Sequence, residues 1–257
     1  MRLSYEDLLS GVPIFIDGVG HIRSPQIKEL NPTVGIGIQQ YTSYINLLSQ
    51  NKEDLVNIID GAFKKQAEML RQLEKANTFD VISLQPFFVS ALIPAIEFFM
   101  CETVQWDNDK QVFITFDKKE GIEIGSINRE NYDNIRNGIL KLNYIGADKD
   151  QSPIKHGTDR AKKRWEVAQA FLKNESKKQK GNESYRLGNI ISKLSVFPTG
   201  YTLLNIYELT VFQLYDQFVQ YGYLRAMDLN ESAVVTHGNA KGSKFSFEDW
   251  LKPITKT

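Results

Sequence analysis

The sequence predicts a mainly α-helical protein with a minor β-hairpin element, an α+β chain arranged as a multi-helix globular protein. Apolar residues recur at steps of three and four along most of its 257 residues, which is the spacing of one helix face. Two stretches instead place β-branched and aromatic residues on both sides of a short polar turn, as β-hairpins do. With 42% hydrophobic residues, a chain of this length buries a core without disulfides or metal ions.

The chain is predicted to begin with a hairpin and a short helix. Asp17-Gly18 supplies the turn of a hairpin over residues 12–23, because both residue types tolerate the positive φ angles of a tight turn. Ser24 and Pro25 have the types preferred at the cap and the first position of a helix. The following Pro32 would end that helix.

Further helices and a second hairpin follow. The apolar stripes predict helices at 34–49, from Asn51 past Leu73, from Phe79 to Met100 with a bend at Pro94, and from Asn128 to Leu142. The second hairpin is predicted to pair 104–106 with 112–116 around a polar turn. Residues 122–124 are predicted to add a third short strand.

The chain is predicted to divide into two domains. Gly, Asp, Ser and Pro cluster at 143–158, where the apolar periodicity is lost, and this composition is typical of a linker. We therefore predict an N-terminal helical domain with small hairpins at 1–145 and a C-terminal helical domain with a short tail at 155–257. The helices predicted for the second domain lie at 159–180, 183–196 and 203–229.

Composition excludes several classes of protein. Lys and Arg number 31 and Asp and Glu also number 31, so a uniformly basic nucleic-acid binder is not expected. Cys101 is the only cysteine and the three histidines are far apart in sequence, so we expect neither a disulfide nor a metal site. The apolar stretch from Leu84 to Met100 is too short and too polar for a membrane span. These features predict a cytoplasmic protein without a membrane partner.

The chain contains no spacing typical of a catalytic or nucleotide-binding motif. We therefore expect neither enzymatic activity nor a cofactor. An active site assembled from residues that are distant in sequence stays open, and it would require a deep polar pocket with perturbed carboxylates.

The predicted helix 203–224 has the most distinctive composition in the chain. Its apolar stripe consists of Leu204, Tyr207, Val211, Leu214, Phe218 and Tyr221, at steps of three and four. Such a stripe is typical of a central core helix. It also fits a partner-binding or dimer face, because tyrosine and phenylalanine offer large contact areas and the tyrosine hydroxyl tolerates water.

Residues 155–180 carry the largest local charge imbalance. Nine Lys and Arg residues stand there against three Asp and Glu residues, an excess of +6 with histidine neutral. A solvated helix face with Trp165 turned inward explains such a run. The alternative is a nucleic-acid site at Lys162, Lys163, Arg164 and Trp165, because clustered cations attract phosphates and an aromatic ring stacks on a base.

Two stretches resemble proteins from the tail-gene clusters of phages of Gram-positive bacteria. The first runs from Asp17 to Leu30, with its Arg23-Ser24-Pro25 step, and continues in the tyrosine-containing segment Tyr41–Leu48. The second joins Leu203–Phe218 to the ending Phe247–Leu251. The family that this similarity indicates is the tail assembly chaperones of long-tailed phages, or a close relative of them.

The resemblance implies a helix-rich, non-enzymatic protein that binds the long tape-measure protein in the host cytoplasm and is absent from the finished virion. An apolar helix face would suit such a helical client. The partner-binding residues that we predict are Tyr207, Val211, Leu214, Phe218 and Tyr221 of the stripe, together with Tyr41 and Tyr44. Self-association through these faces and a nucleic-acid-binding accessory role for residues 155–180 are the alternatives.

Overall fold

The structure, a computed structural model, describes residues 3–60, 76–145, 187–197 and 200–237. Over these residues it contains eight α-helices and five β-strands, and the strands form two antiparallel sheets in the N-terminal half. The fold is therefore α+β with two distinct sheets, and the prediction of a mainly α protein with a minor β-hairpin element is wrong.

Helices and strands follow one another in groups along the N-terminal half. They are α1 Tyr5–Ser10, β1 Ile14–Ile16, β2 Gly20–Ile22, α2 Ile38–Ser49, α3 Lys52–Asp60, α4 Thr78–Ser83, α5 Pro86–Phe98, β3 Thr103–Asp107, β4 Val112–Phe116, β5 Glu123–Ile127 and α6 Tyr132–Leu142. Beyond them lie α7 Leu187–Val196 and α8 Val211–His237. Short 3-10 helices occupy Ile27–Leu30 and Ile206–Glu208.

The chain divides into two compact units. The N-terminal unit comprises Met1–Gly146 and Tyr207–Phe212, and the C-terminal unit comprises Ala147–Ile206 and Gln213–Thr257. The domain boundaries at 1–145 and 155–257 stay a prediction, because most of the proposed linker lies outside the described residues.

The first hairpin is confirmed, but its turn has three residues. Ile14 pairs with Ile22 and Ile16 with Gly20, so the loop between the strands is 17–19. Gly18 adopts a φ of 67°, the left-handed conformation that glycine tolerates without a Cβ clash. A three-residue loop therefore replaces the two-residue turn that Asp17-Gly18 predicted.

The second sheet has the strand order β3-β4-β5. The predicted pairing of its first two strands is confirmed, from Thr103 opposite Phe116 to Asp107 opposite Val112. The third strand is longer than the predicted 122–124, because pairing with β4 satisfies the main-chain groups of 123–127, a stretch with weak polar–apolar alternation. This extension contributes to the β content that the sequence underestimated.

The first hairpin packs on the second sheet through its turn. The main-chain N–H of Ser126 donates to the Gly18 carbonyl at 2.9 Å, and the Thr115 hydroxyl donates to the Val19 carbonyl at 2.6 Å. Gly125 permits this approach, because a Cβ at that position would overlap the Gly18 carbonyl. The turn therefore covers the outer edge of β5.

Helices α2 to α6 enclose the core of the N-terminal unit together with the strands. Phe79 lies at its centre and contacts the rings of Trp106, Phe113 and Tyr132, with centroids 5.5 to 6.2 Å apart. Burial raises the pKa of the Tyr132 hydroxyl, as expected for a phenol removed from water.

The helix predicted from Phe79 to Met100 is two helices, α4 and α5. Pro86 causes the interruption, because a proline disfavours helical backbone in the preceding residue and Gln85 is extended with a ψ of 102°. Pro86 then occupies the first turn of α5, where its missing N–H leaves no hydrogen bond unmade. Pro94, at which a bend was predicted, lies inside α5.

Two other helices begin later than their apolar patterns predicted. The segment before α2 turns back on the 3-10 helix, where the Ile36 N–H donates to the Glu29 carbonyl at 3.1 Å. Asn128 caps a turn instead of a helix, since its side chain accepts the N–H groups of Glu130 and Asn131. The cap predicted at Asn51 is confirmed by its bond from the Asp54 N–H.

The described residues of the C-terminal unit form helices and turns. The buried side chains of α7 are Ile190, Ile191 and Leu194. The predicted helix 159–180 and the predicted tail beyond His237 lie outside the described residues. In the described part of the chain, no helix is long and apolar enough to cross a bilayer.

The helix predicted to start at Leu203 starts at Val211, so this prediction is wrong. The residues before Ile206 form turns in which the Thr202 carbonyl accepts the N–H groups of Asn205 and Ile206. Thr and Asn side chains commonly compete with a helix for main-chain partners, and both do so here.

Candidate partner-binding site

Tyr41 and Tyr44, two of the predicted partner residues, lie on α2 and are half-buried in the N-terminal unit. The ring of Tyr41 packs edge-on against Phe99 at 6.1 Å, and its hydroxyl donates to the side-chain oxygen of Asn143 at 3.1 Å. Tyr44 packs against Phe98 with the same centroid distance. Both tyrosines therefore support the fold of this unit.

Val211 is fully buried, and the start of α8 is joined to the N-terminal segment. The N–H of Val211 donates to the Pro25 carbonyl at 2.9 Å, and the N–H of Phe212 donates to the Ser24 hydroxyl at 3.3 Å. Phe212 is also buried and contacts the ring of Tyr144 at 5.4 Å. The predicted partner residue Val211 therefore belongs to a core.

Phe218 and Tyr221 contact residues of the C-terminal unit. Leu214 is fully buried. The ring of Tyr221 stacks on Phe197, with centroids 4.3 Å apart and an interplanar angle of 18°. The ammonium group of Lys193 lies 5.9 Å from the Phe218 ring, a cation–π distance. Lys193 of α7 and Phe197, which follows α7, therefore contact two of the residues that we predicted for a partner.

The seven predicted residues thus do not form one exposed face. Val211 and Leu214 are buried, and Tyr41, Tyr44, Phe218 and Tyr221 are half-buried. Tyr207 alone among the seven is exposed, at 38%, and it lies on a 3-10 helix. The predicted nucleic-acid residues Lys162, Lys163, Arg164 and Trp165 lie outside the described residues.

Two adjacent apolar residues of the C-terminal unit are strongly exposed; they lie in the predicted stripe region, but neither was among the seven partner-binding residues. Leu203 and Leu204 expose 60% and 92% of their surface. We call them the dileucine turn. Hydrogen bonds hold it: the Thr202 N–H donates to the Asn205 side chain at 2.7 Å, and the Leu204 N–H donates to the Thr202 hydroxyl at 3.2 Å. These local hydrogen bonds order the backbone of the turn, and both leucines are exposed to solvent there.

A sequence signal for this turn was present. Thr202 and Asn205 lie three residues apart, shortly after Gly200, which adopts a φ of 81°. These residue types favour turns over helices. The apolar periodicity of Leu204 with Tyr207 and Val211 concealed the signal.

Glu102 is a buried carboxylate of the N-terminal unit that accepts several hydrogen bonds. Its oxygens accept the main-chain N–H of His21 at 3.0 and 2.9 Å, and one of them lies 2.8 Å from the His21 ring nitrogen Nδ1. Gly20 makes room for this carboxylate, which a Cβ would overlap. These contacts join β2 to the segment before β3. No cluster of three His, Cys, Asp or Glu placed to bind a metal ion occurs among the described residues.

Comparison with known protein families gives a match in the C-terminal part of the chain. The family model of the YomV second domain, a domain of a Bacillus phage-type protein, matches residues 176–255. The match supports a phage-related protein. It includes α7, the dileucine turn and α8, but covers less than half of the chain. No curated protein and no solved structure matches the sequence.

Proposed function

We propose that this phage-related protein is a non-enzymatic, tail-assembly-chaperone-like protein that binds the helical tape-measure protein of its phage. Two similarities support the proposal: the resemblance of both chain ends to tail chaperones, and the phage-type family match at residues 176–255, which contains the C-terminal part of that resemblance. The observation that carries it is the dileucine turn, which lies inside the matched segment.

The dileucine turn has the physical properties of a client anchor. Leu203 and Leu204 are adjacent and together present an apolar surface, which gains free energy when a partner removes it from water. Thr202 and Asn205 already order the backbone, so binding costs little further conformational entropy. An amphipathic client helix would supply the complementary apolar residues.

This proposal moves the client site away from the stripe predicted on α8. Val211 and Leu214 are buried, and Phe218 and Tyr221 already contact residues at the end of α7. A client would have to displace those contacts, whereas the dileucine turn is exposed without rearrangement.

Co-expression with the tape-measure protein tests the proposal. The tagged full chain should retain the tape-measure protein in a pulldown, and the double variant Leu203→Asp with Leu204→Asp should retain at least about tenfold less. The matched control carries Val34→Asp and Ile122→Asp, two residues of similar exposure (68% and 58%) in the other unit. It should retain the client fully.

Two outcomes would contradict the proposal. If no client is retained and the protein is instead found in purified virions, it is a structural tail protein. If the double variant and the control retain the client equally, the dileucine turn is not the client site. Circular dichroism of each variant establishes that the fold is intact.

The basic segment 155–180 supports the alternative of nucleic-acid binding through its sequence charge of +6 alone. Binding to duplex or single-stranded nucleic acid should then weaken linearly with the logarithm of salt concentration. Charge reversal at Lys162, Lys163 and Arg164 should abolish it, while leaving the tape-measure pulldown unchanged.

A further inference from the structure

A groove of about 610 Å³ lies between α5 and β3 in the N-terminal unit. Val89, Ser90 and Ile93 of the helix line one wall, and Val104 and Trp106 of the strand line the other. No lining residue carries a charge, among the side chains that the structure describes. The groove therefore runs along an edge of the second sheet.

The edge of β3 presents unpaired main-chain groups to this groove. The Val104 N–H donates to the Glu97 carboxylate on α5 at 3.1 Å, so it points away from β4. In an antiparallel pair, main-chain groups two residues apart point to the same side. The N–H and C=O of Trp106 therefore also point outward, and no hydrogen bond joins either of them to another described residue.

The opposite edge of the sheet confirms this alternation. Ser126 of β5 pairs with Ile114, and its N–H points outward to the Gly18 carbonyl. Ile114 therefore directs its own main-chain bonds toward β3, where its partner is Gln105. The main-chain N–H and C=O groups of Gln105 are thus bonded to β4, whereas those of Trp106 are not. The first hairpin covers the β5 edge, but the β3 edge is open beyond Val104.

We propose that this groove binds an extended, uncharged segment of a partner protein, which adds to the sheet as a strand beside β3. A polypeptide strand offers the N–H and C=O partners that the main chain of Trp106 lacks. Its side chains on one face contact Val89, Ile93 and Trp106. A charged side chain among these lining residues would lose its hydration, so the uncharged lining favours an uncharged segment.

This site is independent of the dileucine turn. The groove belongs to the N-terminal unit and recognises an extended main chain, whereas the turn belongs to the C-terminal unit and offers leucines to a helix. Failure of the tape-measure pulldown therefore leaves the proposal about the groove intact, and the reverse also holds.

Amide hydrogen exchange of the unmodified full chain tests the open edge. The amides of Gln105 and Asp107, which are bonded to β4, should exchange slowly, and the Trp106 amide between them should exchange at least about tenfold faster. A Trp106 amide as protected as its neighbours would show that the edge is already covered, and it would overturn the proposal.

Peptide selection tests the occupant. Random peptides of about 12 residues are selected on the full chain and counter-selected on the Ser90→Trp variant, in which an indole fills the groove. Ala91→Trp is the matched control, since Ala91 is equally an exposed residue of α5 but does not line the groove. Selected peptides should be uncharged and rich in β-branched residues, and they should bind Ala91→Trp normally and Ser90→Trp at least about tenfold more weakly.

Binding of a selected peptide should also slow exchange of the Trp106 amide in the unmodified chain. The absence of any selected peptide, or selection of helical or charged peptides, would overturn the proposal. Self-association of the full chain that Ser90→Trp abolishes would also overturn it, because a second copy would then be the occupant.

Discussion

Single residues decide how closely the parts of the N-terminal unit approach one another. Gly125 and Gly20 each lie where a Cβ would overlap a neighbour, the Gly18 carbonyl in one case and the Glu102 carboxylate in the other. Neither position is predictable from local sequence, because the neighbour is distant along the chain. A hydrogen atom in place of a side chain is what permits each contact.

The first prediction concerns Gly125. Replacement by alanine should lower the free energy of unfolding by about 1–3 kcal/mol, because the new methyl group separates the hairpin turn from β5. Urea unfolding measures the change. In the control, Gly188→Ala within α7, the new Cβ meets nothing within 4 Å and should be neutral or stabilising by about 0.5–1 kcal/mol. Equal effects of the two substitutions would contradict the packing argument.

The second prediction concerns the contribution of Asp117 to the pH dependence of folding stability. Main-chain N–H groups of Glu120 and Lys119 donate to its carboxylate and lower its pKa from the ordinary value. A lowered folded pKa gives stability that is complete above the unfolded pKa, near pH 4, and is lost as the pH falls through the folded pKa. Asp117→Asn should therefore be less stable than the parent at neutral pH, and the difference should shrink in acid. A difference that is constant with pH would contradict this origin.

At the scale of elements, a helix start can depend on a segment that is remote in sequence. Serine is common at a helix N-cap and proline at the first helical position, yet the 3-10 helix that follows Ser24 and Pro25 begins only at Ile27. Their oxygens instead accept the first N–H groups of α8. The two segments also pair through a bridge between Gln26 and Thr210. The prediction that Ser24 caps the short helix is therefore wrong, since Gln26 precedes that helix and Ser24 accepts an N–H group of α8.

The third prediction follows from this arrangement. Ser24→Ala removes the hydroxyl that accepts the Phe212 N–H and should cost about 0.5–2 kcal/mol of stability, the usual cost of losing a helix cap. Ser195→Ala is the control, because the Ser195 hydroxyl bonds only within an exposed turn of α7, to the Ser192 carbonyl. Thermal unfolding of both variants measures the difference. A smaller effect at Ser24 than at Ser195 would show that the contact with α8 contributes nothing.

At the scale of the whole molecule, the N-terminal unit is discontinuous in sequence. It takes Tyr207–Phe212 from the C-terminal part of the chain, and this segment supplies the buried residues Val211 and Phe212. The Ile27 N–H donates to the Leu209 carbonyl at 2.9 Å, which ties the segment to the 3-10 helix. Residues that are distant in sequence therefore fold together in this unit.

The fourth prediction tests this dependence. A chain truncated after Gly146 lacks the segment and should unfold at a temperature lower by about 5 °C or more than the same unit in the full chain, through lost hydrogen bonds and an uncovered apolar surface. Tryptophan fluorescence at Trp106, on heating, follows the transition. A synthetic peptide spanning 203–214, added in excess, should recover part of the loss. An unchanged midpoint without the peptide would show that the segment does not stabilise the unit.

The candidate site was predictable only in part. The match to the YomV second domain lies where one stretch of the tail-chaperone resemblance was recognised, at residues that include Leu203 and Phe218. The stripe residues themselves were identified from periodicity, and periodicity cannot distinguish a face buried against α7 from one open to a partner. Leu204 illustrates the difference, because its spacing is helical and its backbone is a turn.

By itself the sequence determined the local features: both hairpins, the cap at Asn51, and the apolar faces of α2 and α6. These depend on contacts between residues close in the chain, which residue type and spacing encode directly. Only the tertiary structure decided the full length of β5, the start of α8 at Val211, and which aromatic side chains are exposed to solvent. Each of these depends on a partner elsewhere in the fold, such as Ser24 for Phe212, and the free energy of such a contact is absent from any local pattern.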